Sequence, residues 1–182
     1  MIEEYKEYLA ILDRSIPGEI YEGLLSMLAI GTVLILAIKG ITNGYRMLAG
    51  WMLIEYLFLL LCSTLYFRPV NEVRTHHFKP FWSYEQCFKD GGFHLVPEIG
   101  LNILVFMPVG LLLGMSVRRF TWWKVLWTGA CISVSIEVMQ LIFKKGLSEF
   151  DDVFNNTLGC MAGYGIYCLV DKTGRLIKAK SR

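Results

Sequence analysis

Five apolar runs, most of them long enough to cross a bilayer, constrain this sequence more than any other feature. They are Leu24–Ile38, Met47–Phe67, Leu101–Val117, Trp122–Phe143 and Val153–Val170. A hydrocarbon core needs about 20 apolar residues per helix, with a range of about 17–25. Four runs meet that range, and the first does once Ile20–Gly23 is added. None shows sustained alternation of polar and apolar residues, so membrane strands are a poor alternative. The expected fold is an all-α integral membrane protein with five transmembrane helices. Composition agrees: the 182 residues are 54% hydrophobic and 19% charged, against about 45–50% and about 25% in soluble domains. That excludes a disordered chain, a secreted mini-protein and an ordinary nucleic-acid binder.

The net charge of +2 becomes informative once sorted by loop. One alternate set of loops holds Lys39, Arg46, Arg118, Arg119, Lys124, Lys172, Arg175, Lys178, Lys180 and Arg182 against a single acid, Asp171. The other set is rich in acids. Basic residues in short segments beside the spans mark the cytoplasmic side. The N-terminus is therefore expected outside and the C-terminus inside, in a bacterial plasma membrane. Trp122, Trp123 and Trp127 would anchor the inner interface. Ile2, Tyr5, Leu9, Leu12 and Ile16 recur every three or four positions among charged residues, up to Pro17-Gly18. This predicts an amphipathic helix over 1–19, then a five-helix bundle over 20–170 and a basic cytoplasmic tail over 171–182, all one domain. No cleavable signal peptide is expected, because the N-terminus is acidic.

The polar residues inside the runs gather toward the outer side. Asn102 begins the third run, Glu137 and Gln140 lie in the outer third of the fourth, and Asp151, Asp152, Asn155 and Asn156 open the fifth. Arg68 closes the second. Ser133, Glu137, Gln140 and Lys144 fall on one helical stripe, as do Asp152, Asn156, Gly159 and Gly163. Gly110-x-x-x-Gly114 and Gly159-x-x-x-Gly163 allow helices to approach closely. Pro108 frees the carbonyl of Leu104. The expected site is an outward-facing pocket lined by Arg68, Asn102, Glu137, Gln140, Asp151, Asp152 and Asn156. A membrane carboxylate such as Glu137 points to function by default, and a structural ion pair or a neutral, hydrogen-bonded acid is the plainer alternative. Asp151 and Asp152 would serve equally as helix caps. Glu149 adds a third carboxylate, which points to a cation or amine-bearing ligand. Glu55 has no evident partner. His76, His77 and His94 match no zinc spacing, and the five scattered cysteines read as small hydrophobes, so no metal and no cofactor is expected.

Three ordered motifs carry a resemblance. Asn102-Ile-Leu-Val-Phe-Met-Pro-Val-Gly-Leu-Leu, Ser135-Ile-Glu-Val-Met-Gln140, and Glu149-Phe-Asp-Asp-Val-Phe-Asn-Asn-Thr-Leu-Gly159 with Gly163-Tyr164 resemble the VanZ-like family. Arg68 and Pro80-Phe-Trp-Ser83 look like family features too, whereas Lys144-Lys145 stand where the family often has Arg. The resemblance covers about Leu57 to Tyr167. It implies a bacterial membrane protein linked to resistance against glycopeptide antibiotics, teicoplanin especially. The expected partners are membrane lipid and either the antibiotic or a lipid-linked wall precursor, with no nucleic acid. An alternative is an intramembrane hydrolase or transferase acting on a lipid-linked envelope substrate, with Glu137 as acid or base. No serine–histidine or metal constellation supports that alternative.

Overall fold

The computed structural model describes residues 44–89, 95–117 and 120–180, with Met27 and Gly31 as isolated positions. The expected amphipathic helix over 1–19 and the first expected span lie outside the described residues. Elements follow the order α1 (Gly44–Leu61, continued by a π-helical turn Cys62–Tyr66), β1 (Thr75–His77), α2 (Trp82–Lys89), α3 (Val96–Ser116), α4 (Trp122–Phe143), β2 (Leu147–Glu149) and α5 (Phe150–Lys180).

Three helices are long and apolar enough to cross a membrane: Gly44–Tyr66, Val96–Ser116 and Trp122–Phe143. The protein is a mostly helical membrane protein. α5 is 31 residues long, but Asn155, Asn156 and its glycines dilute its apolar character. It does not end at Val170, where the apolar run stops, but continues as helix to Lys180.

The helices pack through small residues. A Cβ on Gly110 would lie 1.7 Å from the carbonyl oxygen of Cys160, and one on Gly163 would lie 1.8 Å from that of Met107. A Cβ on Gly159 would lie 2.1 Å from the Ile103 oxygen. The backbones of α3 and α5 thus touch along a seam of glycines, and the paired numbers rise together, so the two helices are parallel. Gly129 meets Cys160 and Ser133 bonds Asn156, so α4 runs antiparallel to α5. Tyr56 donates to the Val105 carbonyl at 2.7 Å and Gly50 faces Ser116, which sets α1 antiparallel to α3. Pro108 lies inside α3, and the carbonyl that Tyr56 reaches is the neighbour of Leu104, the one proline leaves without its helical donor. Phe106, Val109, Val125, Ile136, Cys160 and Tyr164 form the core between these helices.

At the end where α1 finishes and α5 begins, the connections fold onto one another. β1 and β2 form a two-stranded parallel sheet in the register Thr75↔Leu147, His76↔Ser148, His77↔Glu149. The turn between α4 and β2 places Lys144 and Gly146 at positive φ. The Gly146 oxygen accepts from Thr75 Oγ1 at 2.7 Å and from Asn71 Nδ2 at 3.2 Å. This pairing links segments some seventy residues apart, which no local sequence pattern announces.

Candidate functional site

The polar end is built from the last turns of α4 and the first turns of α5. Glu137, buried on α4, accepts from the backbone N–H of Glu149 at 2.9 Å. Asp152, one turn into α5, accepts from the Asn102 amide of α3 at 2.6 Å. Asn156, one turn further, donates to Ser133 of α4 at 2.8 Å in a buried pair. Gln140 is 3% exposed; its amide reaches the Thr64 carbonyl in the π-helical turn at 3.4 Å, while its Oε1 has no hydrogen-bond partner. Such a turn releases carbonyls from the regular ladder, and here one faces Gln140.

Arg68 follows that turn and lies over Gly146. A Cβ there would sit 2.3 Å from Arg68 Nη1, at a φ of +84°. The positive φ favours glycine here, because a side chain would strain the backbone, and it would also push the guanidinium from its place. The ion pairs within 4 Å among the described residues join Glu85 to Lys79 and to Lys89. Arg68 therefore acts on Glu137 and Asp152 at longer range, through its field.

Glu149 sits at the sheet's end beside His77 and Trp82, whose rings lie 4.3 Å apart. Burial pushes its carboxyl up to about 7, and the charges of Asp152, Glu98 and Asp151 add to the effect. The Trp82 indole beside it acts the other way, although its N–H lies outside hydrogen-bond geometry. Glu149 Oε1, Trp82 Nε1 and His77 Nδ1 are buried without hydrogen-bond partners among the described residues.

Asp151 has a different occupation. It is 1% exposed and accepts from the Phe81 N–H at 2.6 Å, the Ser83 N–H at 2.9 Å and the Ser83 hydroxyl at 2.5 Å. Two of those donors are free N–H groups at the start of α2, which a carboxylate satisfies well, and the third is the Ser83 hydroxyl. Tyr84 of α2 also donates to Asn155 of α5.

A family model described as VanZ/LLP1 matches residues 53–171. The chain belongs to the VanZ/LLP1 family. Among curated proteins, Protein VanZ of Enterococcus faecium is 31% identical over 71 residues, covering 39% of this chain and 44% of that protein. The similarity thus spans less than half of that relative's length. No solved structure matches the chain.

All seven residues expected at the site fall inside the segment matched by the VanZ/LLP1 model. Glu137, Asp152, Asn102 and Arg68 share one electrostatic neighbourhood. Gln140 lies one turn from Glu137 on α4, and Asn156 one turn below Asp152 on α5. The Asp151 carboxylate is directed at α2. Sequence reasoning assigned no site role to Trp82, Ser83 or Tyr84, which from α2 face Glu149, bind Asp151 and bind Asn155 respectively. The motif Pro80-Phe-Trp-Ser83 was the available signal, but spacing alone did not reveal that it opens a helix against Asp151.

Proposed function

We propose that this VanZ-family chain is a multi-pass plasma-membrane protein with an external N-terminus, a cytoplasmic C-terminus and five transmembrane helices preceded by an amphipathic segment over 1–19. It gives its bacterium low-level resistance to glycopeptide antibiotics such as teicoplanin, by engaging the antibiotic or a lipid-linked envelope component at the outer leaflet. The observation carrying this is the convergence of Glu137, Glu149 and Asp152 with Arg68 at one end of three apolar helices. Carboxylates in that setting complement a cationic or donor-rich ligand, and the adjoining helix faces offer it an apolar wall. Teicoplanin susceptibility measured with and without the gene tests the proposal. Protection by the intact gene and its loss in Glu137→Gln, with unchanged membrane expression, is the expected result. Equal susceptibility in all three strains overturns it.

A further inference from the structure

The first turns of α5 carry an aromatic cluster whose rings lie beside the acidic site. Tyr84 and Phe88 lie four residues apart on one stripe of α2, and Phe81 stands just before the helix begins. Phe81 and Tyr84 pack edge-on against Phe154, with ring centroids 5.2 and 6.3 Å away, and Phe81 also meets Phe150 at 6.1 Å. Phe150, Phe154 and Leu158 continue as an exposed stripe along α5. α5 packs against α3 and α4, both long and apolar enough to span, and its own exposed apolar stripe lies on the outside of that pair. The α2 stripe extends that face beyond the end of the bundle and finishes on Phe88, which is 87% exposed.

The attachment of α2 is deliberate and costly. Phe81 adopts φ = +59°, the left-handed region that bulky residues avoid. In that conformation its N–H reaches the buried Asp151 carboxylate while its ring joins the α5 stripe. Both strain and hydrogen bonds therefore fix which way the aromatic side of α2 faces. Glu85, one turn before Phe88, holds Lys79 and Lys89, so the charges beside the aromatic side chains are paired with one another.

We infer that α2 is an interfacial helix, seated with Phe81, Tyr84 and Phe88 in the boundary between headgroups and acyl chains of the leaflet at the polar end. Aromatic residues concentrate at that depth because their rings are apolar yet tolerate water at the edge. An amphipathic helix lying there needs only one apolar side. The occupant is the bilayer itself, since the patch is continuous with the lipid-facing surface. This inference is independent of the resistance role.

Photo-crosslinking tests it. p-Benzoylphenylalanine replaces Phe88 or, in a second variant, Gln86, which is exposed on the opposite side of α2. Both full-length variants are reconstituted in phosphatidylcholine–phosphatidylglycerol nanodiscs, irradiated and digested for mass spectrometry. Position 88 is expected to yield lipid adducts at least tenfold more often than position 86. Equal adduct yields at the two positions, no lipid adduct at 88, or crosslinks from 88 to a second copy of the chain would each overturn it. Neither position is buried, so both variants retain the fold, as a single monodisperse peak verifies.

Discussion

Both carboxylate oxygens of Asp151 are occupied by α2, whereas Asp152 receives an amide from α3 and faces Glu137, Glu149 and the field of Arg68. Neighbours in sequence thus have separate jobs, because adjacent helical positions point about 100° apart. Asp151→Ala leaves three donors unsatisfied in a buried place, and stability should fall by roughly 3 kcal/mol. Thermal unfolding in detergent measures this, and limited proteolysis should then cut near Lys79 and Lys89. An unchanged melting temperature would contradict the cap. Glu149 predicts a pH effect with a definite sign. Its carboxyl titrates near 7 in the folded protein, above its ordinary value of 4.5, so the native state favours the protonated form. Its contribution to stability is complete below about pH 4.5 and is lost as pH rises through 7. Glu149 is surrounded by Glu98, Glu137, Asp151, Asp152, His77 and Trp82, so the measurement is a difference between wild type and Glu149→Gln. The variant should gain stability relative to wild type between pH 4.5 and 8. A constant difference across that range would remove Glu149 from the acid-sensitive set.

At the scale of elements, the seam between α3 and α5 follows from glycine spacing alone. Gly110, Gly114, Gly159 and Gly163 recur at four-residue intervals, and each faces the opposite helix at a distance that admits no Cβ. The prediction is a contrast within α5. Gly163→Ala forces the helices apart and should cost about 1–3 kcal/mol. Gly174→Ala, where nothing lies within 4 Å, should instead stabilise the helix, by about 1 kcal/mol or less. Folded yield and melting temperature in detergent check both, and equal effects would mean the seam carries no packing load. This seam, the spans of α1, α3 and α4, and the polar clustering of Glu137, Asp152 and Asn102 were all legible in sequence, because each rests on period or local composition. The β1–β2 sheet, the Asp151 cap and the position of Arg68 over Gly146 were not. Each depends on contacts between segments some seventy residues apart, and the only local traces were a glycine in a turn and the Pro80-Phe-Trp-Ser83 motif, whose sequence does not say what it packs against.

For the whole molecule, the contacts fix relative directions: α1 and α4 run one way, α3 and α5 the other. Tyr66, Lys89, Lys145 and Asp151 consequently share one end of the bundle, with Arg46, Lys124 and Lys172 at the other. The second group belongs to the set of ten basic residues facing a single acid, which the proposed topology puts on the cytoplasmic side. Reporter fusions at Arg182 and within the loop near Lys89 should therefore give opposite signals, cytoplasmic for Arg182 and external for Lys89. A third fusion, before Met1, isolates the remaining span. If Ile20–Ile38 crosses the membrane, this fusion reports the outside, like Lys89. If that segment lies along the surface, it reports the cytoplasm while the other two are unchanged. Matching signals from Arg182 and Lys89 would be the more damaging outcome, because they would contradict a crossing by the α3–α5 unit and move the acidic site away from the outer leaflet, where a glycopeptide arrives.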